Sequence, residues 1–234
     1  MAPVLRFEGV AVRAGGKTLL GPVTCRLDSP GITAVMGPNG AGKSLFLSAA
    51  HGVLDDLAGR VTWDDTDATH SRKSRGFMFQ ATPVLRRSVW GNIAFALSGQ
   101  RLAKDDRAAR ITRALADARL DADPRKPAAA LSGGERKRLD LARALVTDPR
   151  VLILDEPAAN LDPAATAAFE DSLRRISGRG VKILFSTHDI GQAKRLADDI
   201  LFIDGGQLIE QKTADTFFSK PVSGPAERFL KGLL

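Results

Sequence analysis

The chain has 234 residues, 44% hydrophobic and 26% charged, with a formal net charge of +7. That length buries one sizeable core, the balance excludes a disordered or fibrous chain, and no apolar run approaches the ~18 residues of a membrane span. Cys25 is the only cysteine, which excludes an intrachain disulfide and suits a reducing compartment, and Met1-Ala2-Pro3-Val4-Leu5-Arg6 lacks the charged-then-apolar start of a secretion signal.

Leu5 to Val12 and Thr18 to Leu27 alternate weakly and read as an antiparallel β segment at the start. The apolar run Ile32 to Met36 reads as a buried strand, and Lys43 to His51 as a helix. Between them stands Gly37-Pro38-Asn39-Gly40-Ala41-Gly42-Lys43-Ser44. Glycines at the first and sixth positions let the backbone turn tightly, so that successive N–H groups converge on an anion at a helix N-terminus. Lys43 would sit between the β- and γ-phosphates of a nucleotide, and the Ser44 hydroxyl would ligate Mg²⁺.

Arg60 to Asp64 and Arg75 to Phe79 read as further short strands, the second followed by Gln80. From residue 86 to 146 helical periodicity dominates, with Ile111, Leu115 and Ala118 on one face and Arg107, Arg110 and Arg113 around another. Ser88 is placed to cap a helix carrying Val89, Ile93 and Phe95, behind the apolar knuckle Pro83-Val84-Leu85. Residues 86–145 hold fourteen Lys/Arg against seven Asp/Glu, and the rest of the chain balances. This excess reads as a solvated helix face, with anionic lipid headgroups as the alternative. Nucleic acid ranks low, because no aromatics interleave the basic residues and no nucleic-acid-binding motif is present. After the break at Asp123 to Pro127, Leu131-Ser132-Gly133-Gly134-Glu135 opens a helix over Arg136 to Val146, with Ser132 as N-cap and Glu135 as its capping-box partner.

Val151 to Leu154 is a buried parallel strand by composition and ends in Asp155-Glu156. A strand of this kind delivers its last side chains to the C-terminal sheet edge, where ligands bind in open α/β sheets. Asp155 would hold Mg²⁺ through its water shell, and Glu156 would polarise an attacking water as general base. Strands at 181–187 and 200–204, a turn at Asp204 to Gly206 and two helices from Asp215 and Pro225 close the chain. Strands alternating with helices give an α/β fold with a mostly parallel sheet.

With the phosphate loop, the acidic pair and the pentapeptide in order, the chain resembles the nucleotide-binding subunits of ABC transporters over essentially its whole length. The resemblance implies one P-loop NTPase domain, its core formed by residues 1–85 and 147–234, with residues 86–146 as an inserted helical subdomain. It implies ATP and Mg²⁺ as cofactors, held by residues 37–45 (Gly37, Pro38, Asn39, Gly40, Ala41, Gly42, Lys43, Ser44 and Leu45). Ser132, Gly133 and Gly134 become the signature that contacts the γ-phosphate on a second copy's loop, in a head-to-tail dimer. Gln80 becomes a Mg²⁺-sensing glutamine that links the ATP site to the membrane partner. Asp162, in Asn160-Leu161-Asp162, contacts the opposite subunit, and His188 becomes the switch histidine at the γ-phosphate. The Pro83 to Leu85 knuckle matches the groove that receives a short helix of the membrane subunit.

Two positions depart from the family pattern. The family stacks adenine on an aromatic residue in the loop after the first strand, where this chain has Ala14. Arg13 reads as an exposed arginine, with stacking on the base as the alternative. Leu45 replaces a common Thr, with little consequence because Ser44 keeps the hydroxyl. A short chain without a fused membrane domain or a regulatory β-barrel points to an importer ATPase on the cytoplasmic face of the membrane. Its partners would be separate transmembrane permease subunits and, indirectly, an external solute-binding protein. The segments 83–89, 159–162 and 217–230 resemble oxyanion importers of the tungstate type, with phosphate or other small-solute importers and lipid- or lipoprotein-release systems as alternatives.

Overall fold

The chain opens with β1 (Leu5–Ala14) and β2 (Lys17–Leu27), an antiparallel pair joined at Gly15-Gly16, both at positive φ as a tight hairpin twist demands. The computed structural model describes residues 2–233. Then follow β3 (Ile32–Met36), α1 (Lys43–His51), β4 (Ala58–Trp63), β5 (Thr66–Asp67), α2 (Ala68–Ser71) and β6 (Arg75–Met78). Helices α3 (Val89–Ala96), α4 (Lys104–Asp117) and α5 (Gly133–Leu145) come next, before β7 (Val151–Leu154). The chain continues through α6 (Pro163–Gly178), β8 (Lys182–Thr187), α7 (Ile190–Leu196), β9 (Asp199–Asp204), β10 (Gln207–Thr213), α8 (Ala214–Ser219) and α9 (Gly224–Leu230).

Two sheets result. One is antiparallel, in the order β2-β1-β4-β5; the other runs β10-β9-β3-β8-β7-β6 and is parallel except for the β9–β10 hairpin at its edge. The apolar runs of the larger sheet divide their side chains with period two. Ile32, Ala34, Met36, Leu152, Leu154, Ile183, Phe185, Ile200 and Phe202 face a core shared with α3 to α9. Val35, Ile153, Leu184, Leu201 and Ile203 face the other way, onto Phe46 and Leu47 of α1 and onto Phe7, Val61 and Trp63 of the antiparallel sheet. Both faces are covered, which is why these strands read as unbroken apolar runs. Full burial of each Leu, Ile or Phe contributes about 1.5–3 kcal/mol.

The structure holds elements that the sequence does not announce, the helices α6 and α7 among them, and it moves one boundary. β10 lies beyond the expected turn at Asp204 to Gly206 and gives no signal of its own, because an edge strand with Gln207, Glu210, Gln211 and Lys212 has no apolar run. The two-residue β5 and the short α2 are too brief for any period to register. Helix α5 begins at Gly133, three residues before the expected Arg136, directly behind its Ser132 cap.

Lys182 is fully buried in β8, where its Nζ donates to Thr33 Oγ1 at 2.8 Å and to the Pro30 carbonyl at 3.4 Å. Burial pulls its pKa down to about 8, against the opposing pull of Asp199 and Asp198. The folded state therefore releases this proton near pH 8, whereas the unfolded chain keeps it until about 10.5, so folding gains stability as pH rises through that window. Melting curves of wild type and Lys182→Met from pH 7 to 11 should show the wild type gaining on the variant between pH 8 and 10.5. A constant difference across that range would refute the buried-lysine titration.

Candidate functional site

Parallel pairing aligns Met36 with Thr187, Met78 with Leu154, and Leu154 with Phe185. The residues that follow these strands therefore emerge at one sheet edge: Gly37 after β3, the Phe79-Gln80 segment after β6, Asp155-Glu156 after β7, and His188 after β8. That edge holds a cavity of about 350 Å³ lined by the loop from Asn39 to Leu45, Gln80 and Glu156. Two loop glycines are obligatory. A Cβ on Gly37 would collide with the Ile203 carbonyl, and Gly42, which caps α1, sits at φ 107. The first turn of α1 thus opens onto the cavity with its unpaired N–H groups.

Lys43 is buried, and its Nζ donates to the carbonyls of Gly37 and Pro38 at 2.9 Å while lying 3.8 Å from Glu156 Oε1. Burial lowers its pKa, and the Glu156 and Asp155 carboxylates oppose that shift. Glu156 itself sits at φ 44, a conformation that costs on the order of 1–3 kcal/mol for a residue with a side chain. Its N–H is held by Ser186 Oγ at 2.8 Å, and the same hydroxyl donates to Asp155 Oδ1 at 2.6 Å. One serine therefore ties both acids to β8. His188 Nδ1 lies 3.2 Å from Glu156 Oε1, so Glu156 stands between an ammonium and an imidazole. Ser186 was missed in the sequence; its only signal is a hydroxyl inside an otherwise apolar strand.

Gln80 is exposed, and the loop around it is gripped by α5. Lys137 Nζ donates to the Gln80 carbonyl and Arg143 Nη1 to the Pro83 carbonyl, each at 3.0 Å. Between them Asp140 is buried, its pKa pushed up to about 6 by desolvation against the pull of Arg143 and Lys137. These three residues were not singled out in the sequence, because Lys, Asp and Arg on a helix usually mark a solvated face.

The cavity does not include the pentapeptide. Ser132 and Glu135 form the expected capping box, with Ser132 N–H on Glu135 Oε2 at 2.7 Å and Glu135 N–H on Ser132 Oγ at 3.3 Å. A Cβ on Gly133 would meet open space, and one on Gly134 would touch Ala165 Cβ at 3.6 Å. Ala165 N–H is in turn capped by Asp162 at 2.8 Å. Ser132 to Gly134 and Asp162 therefore form a second cluster of their own. Arg13 and Ala14 are exposed at the β1–β2 hairpin, and Ala14 is the last strand residue, paired with Lys17, rather than part of a loop. On the same hairpin Leu19 is an exposed apolar side chain whose carbonyl abuts Gly42.

Among the described residues no three His, Cys, Asp or Glu side chains cluster as a self-sufficient metal cage. The oxygen donors at the edge, Ser44, Gln80 and Asp155, fit an ion that takes one or two carboxylates plus substrate phosphates, as Mg²⁺ does.

Residues 20–159 match the family model described as ABC transporter. The chain is 37% identical over 233 residues to the Fe(3+) ions import ATP-binding protein FbpC of Streptomyces coelicolor, spanning 97% of this chain and 67% of that one. It is 35% identical over 205 residues to the tungstate uptake system ATP-binding protein TupC of Peptoclostridium acidaminophilum, spanning 87% of this chain and 94% of that one. The solved structure of CbiO1 from Clostridium perfringens, part of the ABC transporter complex CbiONQ, superposes with a TM-score of 0.85 at 28% identity, covering 94% of this chain and 92% of that one.

Ser186→Ala would leave the Glu156 N–H and an Asp155 oxygen without their partner, and should lower unfolding stability by about 1–3 kcal/mol. Urea denaturation measures this; an unchanged midpoint would mean that the serine holds neither acid.

Proposed function

The chain belongs to the ABC transporter family as an ATP-binding, ATP-hydrolysing subunit of importer type, and from that premise we propose that two copies close head to tail over two ATP molecules. In each site Gly37 to Leu45 wrap the phosphates and Lys43 neutralises the β- and γ-phosphate charge. Ser44, Asp155 and Gln80 would hold Mg²⁺, which would supply further neutralisation of phosphate charge. Glu156 takes the proton of the attacking water, and His188 steadies the γ-phosphate beside it. Ser132, Gly133, Gly134 and Asp162 serve the nucleotide of the other copy.

The observation that supports this reading is that neither the signature residues nor Asp162 line the phosphate cavity. Glu156, with Lys43 at 3.8 Å and His188 at 3.2 Å, belongs to the phosphate cavity. The signature residues and Asp162 gather instead at the start of α6, with Gly133 open to approach. One chain thus carries two halves of a site that only a second copy unites.

Residues 86–146 are read as the inserted helical subdomain that carries the signature, and residues 1–85 and 147–234 as the ATPase core. The subunit acts at the cytoplasmic face of the membrane, on separate permease subunits supplied by a solute-binding protein; no helix among the described residues is long and apolar enough to cross a membrane. For the solute we favour an oxyanion such as tungstate, supported by the likeness to TupC along nearly all of that protein's length. The similar likeness to FbpC, named for Fe(3+) import, keeps other small solutes as the second reading.

Glu156→Gln should cut ATP turnover by about 10²–10⁴-fold and convert the chain to a dimer in MgATP, read by light scattering after size exclusion. Lys43→Ala should abolish that dimer by weakening nucleotide binding. Wild-type turnover in Glu156→Gln would remove the general-base role. A strictly monomeric Glu156→Gln chain in MgATP with its permease present would remove the shared site.

A further inference from the structure

Two of the segments at the nucleotide edge run directly into helices. Asp162 caps α6, and Asp189, the residue after His188, caps α7. Helix α7 has seven residues and buries Gln192, Ala193 and Leu196, with Ile190 packed against the same core. Glu170, on α6, adds a charged tie to it. This carboxylate is almost completely buried and accepts both arms of one guanidinium: Arg195 Nε to Oε2 at 2.9 Å and Nη2 to Oε1 at 2.7 Å. A bidentate fork defines orientation as well as distance. Arg174 of α6 adds a second tie, from its Nη2 to the Arg195 carbonyl at 3.0 Å.

The remaining arm of Arg195 reaches back over the first turn of α7. A Cβ built on Gly191 would lie 3.1 Å from Arg195 Nη1 and 3.1 Å from Asp189 Oδ1, so the guanidinium passes close beside the cap at a residue without a side chain. Asp189 accepts from Gln192 N–H at 3.0 Å, and its own N–H donates to Thr187 Oγ1 at 3.0 Å. The next residue back is His188, 3.2 Å from Glu156. Glu170 is thus tied to Arg195, whose guanidinium lies beside Gly191 in the first turn of α7, and the Asp189 cap of that turn adjoins the histidine that meets the acid.

We propose that the Glu170–Arg195 pair positions His188: by locking α7 to α6 it holds the histidine against Glu156 and in step with Asp162. Neither Glu170 nor Arg195 lines the phosphate cavity; both act through the loops their helices carry. The inference rests on the reading that His188 and Glu156 take part in hydrolysis. A small displacement of a group that orients the reacting atoms lowers turnover while leaving ground-state binding nearly intact.

The test is steady-state ATP hydrolysis by the full chain, with thermal melting recorded on every variant. Arg195→Met should lower kcat about tenfold with KM for ATP within about threefold, and it should also lower the melting temperature, because a buried carboxylate loses its partner. Glu170→Gln/Arg195→Met removes that stranded charge, and its melting temperature should recover while kcat stays low. Arg195→Lys keeps the charge but loses the fork and should fall between. Added to His188→Ala, Arg195→Met should cost little more, since the group it positions is gone. The positioning role is overturned if kcat recovers together with melting in the double variant, if Arg195→Met turns over at the wild-type rate, or if its effect multiplies in full with that of His188→Ala. If His188→Ala itself leaves kcat unchanged, the failure lies in the reading of the site.

Discussion

Parallel pairing of β6, β7, β8 and β3 is the constraint on which the rest of this molecule depends. Each strand contributes one short segment at its C-terminal end, and in-register pairing brings Gly37, Gln80, Glu156 and His188 to one edge although they are far apart in the chain. Such a sheet is stable only when both faces are covered. The helical layer over Met36, Leu154 and Phe185, and the α1–antiparallel layer over Val35, Ile153 and Leu184, are therefore conditions for the site as much as for the fold.

At that edge the electrostatics are arranged in advance of any ligand. Lys43 is desolvated, which works against its charge, and two carboxylates nearby work for it. Ser186 divides its hydrogen bonds between the Asp155 carboxylate and the Glu156 backbone, so two adjacent acids that would otherwise repel are held in different orientations. The positive φ of Glu156 belongs to the same arrangement: the N–H bond to Ser186 supports a backbone conformation that aims the carboxylate between Lys43 and His188.

The basic excess of residues 86–145 has structural uses. Arg113 pairs with Asp148, Arg119 with Asp171, and Asp117 with Arg179, all at the surface, where such pairs contribute about 0–1 kcal/mol each. Lys137 and Arg143 turn inward instead and hold the Gln80 to Pro83 backbone. Arg87 lies over the ring of Phe95. The inward turn of Lys137 and Arg143 ties the basic α5 to the Gln80 loop. It also makes α5 a mechanical link, since the helix that begins with the signature at Ser132 also grips the loop of Gln80. With the Glu170–Arg195 fork between α6 and α7, the loops of Gln80 and His188 are each backed by a helix carrying a charged anchor.

By itself the sequence determined the elements whose signals are local. The limits of β3 and α1, the capping box at Ser132, the hairpin strands and the acidic pair after β7 follow from runs, spacings and caps of a few residues, which neighbouring residues alone dictate. Motif order carried the loop, Gln80, Glu156 and His188 to a common site, and the structure brings those four together. It left out helices α6 and α7, and it left out Ser186, Asp140, Lys137, Glu170, Arg195 and β10. Each of these last is a polar residue or edge strand whose meaning depends on what lies against it. A buried Glu and a solvated Glu are the same letter, and only the approach of α7 to α6 makes Glu170 the acceptor of Arg195. Tertiary structure alone decided which charges are anchors, because burial and pairing arise between segments distant in sequence and leave no period within either one.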